Sequence, residues 1–113
     1  MDARIFHNPQ CSTSRTTLQR LRDAGVEPEV VQYLKTPPSR DELAQMISAA
    51  GLTPSQAVRR REKLFAELSL ADADDAALLD AMAENPRLIE RPFVVTPKGT
   101  RLARPVETVD EIL

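Results

Sequence analysis

The strongest pattern in the chain lies in residues 3–34, which read ARIFHNPQCSTSRTTLQRLRDAGVEPEVVQYL. Residues 3–7 alternate enough to predict a short strand, and Asn8-Pro9 ends it. Residues 29–34 predict a second strand, and the segment between the strands has the spacing of a helix. A strand, a helix and a strand in so short a stretch predict a right-handed β-α-β unit with parallel strands.

The predicted helix of this unit begins at Ser12 or Thr13 and ends at Ala24, because Gly25 is the usual kind of residue just past a helix end. The residues spaced to form its buried stripe are Leu18, Leu21 and Ala24. Cys11 therefore stands where the loop after the first strand meets the start of the helix.

After Pro37-Pro38 the pattern changes to helices. The predicted helix starts are a capping box in residues 39–42 and a second cap at Thr53-Pro54, and residues 57–68 and 74–83 are also predicted to be helical. We interpret these elements as a helical insert at about residues 39–85 within a single domain of residues 1–113.

Strand signals return near the C-terminal end. Residues 93–96 and 101–103 are separated by a turn, which predicts a β-hairpin. A final helix is predicted with Pro105 at its first position. Its predicted buried residues are Val106, Val109, Ile112 and Leu113. The order β-α-β, helices, β-β-α predicts a mixed α/β (α+β) fold with a helical insertion.

The composition restricts the environment and the partners. The chain has 113 residues, the length of one domain, with 42% hydrophobic and 28% charged residues. The net charge of -2 gives no general attraction for nucleic acid, and no apolar run is long enough to cross a membrane. The N-terminus lacks the pattern of a signal peptide, and a single cysteine argues against an oxidising compartment. We predict a cytoplasmic protein with no nucleic-acid or membrane partner, and we expect a monomer.

Three common kinds of site are disfavoured. The chain has 3 glycines, far apart at positions 25, 51 and 99, so no glycine-rich phosphate loop is predicted. One histidine and one cysteine, without carboxylates at ligand spacing, predict no metal site. A cysteine phosphatase needs an arginine that closes the phosphate loop after the nucleophile, and Thr17 stands at that position here.

Cys11 is the only cysteine in the chain. A thiol becomes a nucleophile as the thiolate, and backbone N–H groups at a helix start lower its pKa from about 8.5 to roughly 3.5–7.5. Because there is no second cysteine, a resolving thiol has to come from another molecule. The competing interpretation, a buried inert cysteine, is disfavoured by the proline and hydroxyl residues that flank Cys11.

Arginines are the candidate partners of such a thiolate. A thiolate that attacks an oxyanion brings two negative charges together, so the site needs cations and N–H donors. Arginine stays charged and donates two parallel hydrogen bonds. The candidates are Arg15, Arg59, Arg60, Arg61, Arg91, Arg101 and Arg104. Their spacing does not choose among them, and a solvated helix face is the alternative for residues 59–61.

Structural roles also remain open for the residues around Cys11. His7, at the end of a strand, is by default a hydrogen-bonded structural histidine. Residues 12–14 are good helix caps in their own right. Pro92 precedes a strand, where an ordinary trans proline is tolerated.

Four stretches resemble the glutaredoxin-coupled arsenate reductases, a thioredoxin-like family. They are residues 7–15 (HNPQCSTSR), 33–43 (YLKTPPSRDEL), 91–96 (RPFVVT) and 99–105 (GTRLARP). The resemblance spans nearly the whole chain. It implies a thioredoxin/glutaredoxin-like sheet and an enzyme that reduces arsenate to arsenite, with glutathione as co-substrate, glutaredoxin as partner and no bound cofactor.

The resemblance also implies residue roles. Cys11 is the implied nucleophile, and His7 and Ser14 help to keep its thiol ionised. The residues implied to hold the oxyanion are Arg59, Arg91 and Arg104, with Arg60 in place of Arg59 if the alignment shifts by one residue. Pro92 is implied to be the cis-proline that thioredoxin-like folds place against the active cysteine. Ser14 stands where thioredoxins have their second cysteine, in agreement with the single cysteine here.

Two other functions occur with the same layout. A glutathione-dependent thiol reductase would keep Cys11 without needing the arginines. A transcriptional regulator that binds RNA polymerase belongs to the same superfamily, but its relatives often resemble a Cys-x-x-Cys switch, which Ser14 precludes here. Arg91 and Arg104 favour arsenate reduction over the thiol reductase function.

Overall fold

The computed structural model describes residues 1–113, which group into two compact units. The first unit comprises Met1–Thr36 and Arg91–Leu113, and the second comprises Pro37–Glu90. The first unit contains a sheet flanked by helical segments, and the second is helical apart from one isolated β-bridge. The predicted mixed α/β fold class is therefore confirmed. That both units belong to a single domain stays a prediction.

A four-stranded sheet with the strand order β2-β1-β3-β4 forms the first unit. Its strands are β1 (Arg4–His7), β2 (Glu29–Gln32), β3 (Phe93–Thr96) and β4 (Gly99–Leu102), and helix α1 (Ser12–Asp23) connects β1 to β2. β1 and β2 are parallel, whereas β3 is antiparallel to both β1 and β4. The predicted β-α-β unit and the predicted hairpin are both present.

The register of the sheet brings four chain segments to one end of it. Phe6 lies opposite Val31 of β2 and Phe93 of β3, and Phe93 lies opposite Leu102 of β4. Since β1, β2 and β4 end where β3 begins, four segments meet there. These segments are the loop after β1, the residues just after β2, the residues just before β3 and the residues just after β4.

Three strands differ from the prediction in their bounds, and β1 begins at Arg4 rather than at Ala3. β2 ends at Gln32 because the backbone N–H groups of Lys35 and Thr36 both donate to the Gln32 carbonyl, at 2.9 Å each, and turn the chain. β4 begins at Gly99, inside the predicted turn, and ends at Leu102.

Helix α1 buries a different stripe from the predicted one. Its buried residues are Ser14, Thr17 and Leu21, which follow one another at helical spacing on one face. Leu21 packs in a core cluster with Ala3, Ile5, Val26, Val94, Ala103, Val109 and Ile112. Leu18 only packs against the edge of this cluster, and Ala24 is exposed at the helix end, so the prediction for Ala24 is wrong. The buried positions Ser14 and Thr17 are polar, which is why the apolar pattern missed them.

The second unit consists of short helices. They are α2 (Arg40–Ala49), α3 (Pro54–Ala57), α4 (Lys63–Glu67) and α5 (Asp75–Glu84), with 3₁₀ turns at Leu70–Asp72 and Pro86–Leu88. The predicted capping box is present, since the Ser39 hydroxyl accepts the Glu42 N–H and the Glu42 carboxylate accepts the Ser39 N–H. α5 starts at the N-cap Asp74, whose carboxylate accepts the Ala77 N–H at 2.8 Å.

The prediction of one continuous helix over residues 57–68 is wrong, because Val58 is extended and a turn at residues 60–61 separates α3 from α4. Val58 forms an isolated antiparallel bridge with Ile89. Next to this bridge the Arg59 N–H donates to the Leu88 carbonyl (2.7 Å) and the Glu90 N–H donates to the Ala57 carbonyl (2.8 Å). These long-range bonds replace the helical bonds that local propensity favours.

The C-terminal helix is a 3₁₀ helix over Val106–Ile112, and Pro105 is its N-cap rather than its first residue. The extended backbone of Pro105 (φ -66, ψ 164) keeps it outside the helix. Val109 and Ile112 are buried as predicted, whereas Val106 and Leu113 are only partly buried.

Candidate active site

Cys11 occupies the N-cap of α1, at the end of the loop that follows β1. The Cys11 N–H donates to the Asn8 carbonyl (3.0 Å), and the Asn8 side-chain oxygen accepts the Gln10 N–H (2.9 Å). Asn8 is itself buried, so the loop is anchored in the core. The thiol of Cys11 is free and partly exposed. It is therefore accessible while lying at the positive end of a helix dipole.

The surroundings of Cys11 stabilise its thiolate. Burial by itself raises the pKa of the Cys11 thiol, but three other groups outweigh this effect. The backbone N–H of Ser14 lowers the pKa most strongly, followed by the guanidinium of Arg91 and the positive charge of Arg104. The resulting thiol pKa lies below the ordinary value. At any given pH a larger share of the side chain is the thiolate, which is the nucleophilic form.

Arg104 contacts both the Cys11 thiol and Arg91, the other arginine that lowers the pKa of this thiol. One terminal guanidinium nitrogen of Arg104 lies 3.7 Å from the Cys11 sulfur, and its Nε donates to the Arg91 main-chain carbonyl at 2.7 Å. Arg104 follows β4 and Arg91 precedes β3, so the hairpin brings the two arginines together.

Arg91 is buried, with 8% of its surface exposed, and its guanidinium remains charged because Cys11 and Tyr33 offset the cost of burial. Its Nε–H is buried and has no hydrogen-bond acceptor within the protein. A buried donor without an acceptor is costly. An oxyanion that accepts such a bond would remove this cost.

His7 and Ser14 form a buried pair beside the thiol loop. The His7 Nδ1 and the Ser14 hydroxyl oxygen lie 2.6 Å apart, and the Asn8 N–H donates to the same oxygen at 3.1 Å. Burial lowers the pKa of His7, and the positive charges of Arg22 and Arg15 lower it further. The imidazole is therefore neutral at neutral pH. It fixes Ser14, whose backbone N–H acts on the sulfur, rather than supplying a charge.

Pro92 lies between Arg91 and β3, and its peptide bond with Arg91 is cis, the geometry expected for this proline. The Pro92 carbonyl accepts the Ala103 N–H at 2.9 Å, which extends the pairing of β3 with β4 beyond Phe93. The Arg104–Pro105 bond is also cis, a feature that the sequence analysis did not predict.

Tyr33 is the residue that the sequence analysis missed. It follows β2, is 1% exposed and interacts with the guanidinium of Arg91. A tyrosine at a strand end is usually a core residue, so its residue type did not indicate a functional role. The only indication was that Tyr33 begins a stretch that resembles a known family.

Arg59 and Arg60 lie in the second unit, after α3. The Arg59 side chain is 21% exposed and pairs with Glu62 at 3.7 Å. The Arg60 guanidinium donates to the carbonyl and hydroxyl oxygens of Ser55, at 3.1 and 2.5 Å, and lies over the ring of Phe65. The two neighbours therefore have different environments.

Three further candidate arginines form other contacts. They are Arg15 with the Pro9 carbonyl (2.9 Å), Arg61 with Glu90 (3.3 Å) and Arg101 with Glu111 (2.9 Å). Among the seven candidates, Arg91 and Arg104 are the two whose charges lower the pKa of the Cys11 thiol.

The lowered thiol pKa predicts the pH dependence of Cys11 alkylation. The thiolate fraction rises through the pKa, so the alkylation rate is expected to reach half its maximum at a lower pH than for free cysteine, about pH 8.5. Iodoacetamide labelling followed by mass spectrometry measures this midpoint. In urea-unfolded protein the midpoint should return to the free-cysteine value. A folded midpoint at or above the unfolded one would contradict the stabilisation by Ser14, Arg91 and Arg104.

The fold and the site define a thioredoxin-like protein with one stabilised thiolate and two adjacent guanidinium groups. The profile of the ArsC family matches residues 6–112. Arsenate reductase of Rhizobium meliloti (strain 1021) is 60% identical over 115 residues, covering 100% of this chain and 82% of that protein. Arsenate reductase of Escherichia coli (strain K12) is 49% identical over 111 residues, covering 96% and 79%.

A solved structure is also similar. Arsenate reductase from Vibrio cholerae superposes with a TM-score of 0.95 at 46% identity, covering 100% of this chain and 98% of that one. The chain therefore belongs to the ArsC family, and the resemblance seen in the sequence is confirmed at the family level.

The structure lacks two kinds of feature. No group of three or more His, Cys, Asp or Glu side chains is placed to hold a metal ion. No helix combines the length and apolar character that a membrane span requires.

Proposed function

We propose that this protein is an arsenate reductase in which Cys11 is the nucleophile and glutathione and glutaredoxin supply the reducing thiols. The observation that carries the proposal is the partly exposed Cys11 thiol, whose pKa is lowered by Ser14, Arg91 and Arg104. The names of the similar proteins support the substrate, since the chain shares 60% and 49% identity with arsenate reductases over nearly its full length.

In the first step the Cys11 thiolate attacks the arsenic atom of arsenate. A sulfur–arsenic bond forms, one arsenic–oxygen bond breaks, and the oxygen leaves as water after taking up protons. Arg91 and Arg104 place positive charge and N–H donors beside the sulfur, so they can stabilise the charge that develops on the oxyanion. Arsenic remains pentavalent in this step.

The reduction needs two external thiols, because the chain has 1 cysteine. Glutathione adds its sulfur to the arsenic of the Cys11 adduct, and a second oxygen leaves as water. A glutaredoxin thiolate then attacks the glutathione sulfur and forms a mixed disulfide. The electron pair of the broken sulfur–arsenic bond reduces arsenic to the trivalent state. Hydrolysis of the remaining bond to Cys11 releases arsenite and regenerates the thiol.

We propose Arg59, the residue that the sequence resemblance implies, rather than Arg60 as the third oxyanion contact. The Arg60 guanidinium is engaged by Ser55 and Phe65 and is exposed, whereas the Arg59 side chain is less exposed. We further propose that the protein acts as a monomeric single domain in the cytoplasm, where glutathione is kept reduced.

Arsenate-dependent NADPH oxidation tests the function. Purified protein is mixed with arsenate, glutathione, glutaredoxin, glutathione reductase and NADPH, and each component is omitted in turn. We expect oxidation only when arsenate, glutathione and glutaredoxin are all present. Oxidation that persists without arsenate would instead support a general thiol reductase. No oxidation in the complete mixture, with Cys11 still reactive toward iodoacetamide, would contradict the reductase proposal.

A further inference from the structure

Tyr33 and Arg91 flank β1 at the end of the sheet where Cys11 lies. Tyr33 directly follows β2 and Arg91 lies two positions before β3, and both strands pair with β1. Neighbouring strands are about 4.8 Å apart, so β2 and β3 are separated by roughly 9.6 Å. A tyrosine and an arginine side chain that extend toward each other can span this distance. The strand order therefore allows the two side chains to meet across β1.

Both side chains are removed from solvent. Tyr33 is 1% exposed and Arg91 is 8% exposed. Tyr33 favours the charged form of the Arg91 guanidinium and so raises the pKa of Arg91. A buried guanidinium needs acceptors for its N–H groups, and a tyrosine hydroxyl can accept one of them.

The charge of Arg91 is not neutralised by an acid. The groups that act on Arg91 are Cys11 and Tyr33, and no carboxylate is among them. A carboxylate would hold the guanidinium but would also cancel its positive charge. A neutral hydroxyl orients the guanidinium and leaves its charge available to the thiolate and to an anion.

The backbone of Arg91 is held separately from its side chain. Arg104 donates from Nε to the Arg91 carbonyl at 2.7 Å, which anchors the main chain. The guanidinium lies at the far end of a flexible side chain, so it needs its own support to stay beside the sulfur. Tyr33 is the group placed to provide that support.

We propose that Tyr33 is a positioning residue that holds the Arg91 guanidinium toward Cys11 and its oxyanion ligand. The role of Tyr33 in arsenate binding rests on the proposed function, whereas its effect on the Cys11 thiol does not depend on that function. Tyr33→Phe keeps the buried ring and removes only the hydroxyl. The variant is expected to bind oxyanions about three- to tenfold more weakly, and its thiol is expected to titrate at a higher pH.

The experiment measures Cys11 alone and uses inorganic sulfate as the oxyanion probe. Iodoacetamide labelling rates are recorded against pH, and then against sulfate concentration at a fixed pH. The pH series gives the midpoint of the thiol titration, and the sulfate series gives the sulfate concentration that half-protects Cys11 from labelling. Both quantities are measured for wild type, Tyr33→Phe, Arg91→Ala and the double variant. Neither quantity requires arsenate turnover, so a failure of the proposed function can be told apart from a failure of the role proposed for Tyr33.

The double variant separates positioning from a general loss of stability. If Tyr33 acts through Arg91, Tyr33→Phe should change neither quantity further once Arg91 is alanine. The proposal would be overturned if Tyr33→Phe changed the thiol midpoint and the sulfate protection equally in the wild-type and Arg91→Ala backgrounds. It would also be overturned if Tyr33→Phe alone gave wild-type values for both.

Thr96→Val is the matched control for a lost buried hydroxyl. The Thr96 hydroxyl donates to the Ile112 carbonyl at 2.7 Å, at the other end of β3 from Pro92. This variant is expected to lower the unfolding midpoint without moving the thiol titration. A thiol shift in Thr96→Val as large as that in Tyr33→Phe would show that destabilisation alone explains the effect, and would also overturn the proposal.

Discussion

Arsenate reduction is expected to fall to background in Cys11→Ser while the protein stays folded. A serine hydroxyl is not ionised at neutral pH, so it cannot replace the thiolate as a nucleophile, and it cannot undergo the thiol exchange that the reduction needs. The chain has 1 cysteine, so no other residue can take over the role. The loss should exceed a thousandfold, the scale seen when a covalent nucleophile is removed. The coupled NADPH assay measures it.

The fold of Cys11→Ser should survive because serine is a favourable N-cap residue, and Cys11 is the N-cap of α1. The free energy of unfolding is expected to change by no more than about 0.5 kcal/mol, as measured by urea denaturation. Ser12→Ala, an exposed position in the same helical turn, is the matched control and should retain turnover. Comparable turnover in Cys11→Ser would remove the basis for the proposed chemistry.

The second large effect is expected for Arg91→Ala. The substitution removes a charge and N–H donors beside the sulfur, and hydrogen bonds to charged groups contribute about 1.5–3 kcal/mol each. The value of kcat/KM for arsenate should therefore fall about tenfold to hundredfold. The midpoint of Cys11 alkylation should also move to higher pH, because one of the groups that lower the thiol pKa is lost. Steady-state kinetics and iodoacetamide labelling measure the two effects.

Matched arginine variants control for the loss of a positive charge. Arg101 lies on β4 near Arg104 but pairs with Glu111, so Arg101→Ala should leave kcat/KM within about twofold of wild type. The same kinetics on Arg59→Ala and Arg60→Ala compare two neighbours, and only the first is expected to raise KM. If Arg91→Ala behaves like Arg101→Ala, Arg91 has no direct role at the site.

Much of the first unit could be predicted from the sequence because its signals are local. The alternating residues 3–7 and the helix-ending Gly25 lie inside the elements that they define. The capping box at Ser39 and Glu42 is equally local, since both bonds form within one helical turn. Local hydrogen bonds and local periodicity are readable from neighbouring residues.

Two of the predictions that failed concern parts of the chain whose conformation or burial depends on distant residues. The helix predicted over residues 57–68 is interrupted because Val58 pairs with Ile89. Pro105 was predicted inside a helix, but the chain there is extended and the helix starts at Val106. Ala24 was predicted as buried, yet the face of α1 that contacts the core is set by the packing of Ser14, Thr17 and Leu21. Tertiary contacts override the local pattern at Val58 and on α1.

The sequence by itself determined the residue that we propose as nucleophile, since a single cysteine at a predicted helix start leaves no other thiol and places it among backbone N–H donors. Only the tertiary structure decided which cations accompany it. Arg104 is 93 positions away from Cys11 and reaches the sulfur because the β3–β4 hairpin returns the chain to the end of β1. Tyr33 and Arg91 are brought to either side of β1 in the same way, because β2 and β3 both pair with that strand. Spacing along the chain carries no information about such neighbours, whereas strand register and burial do.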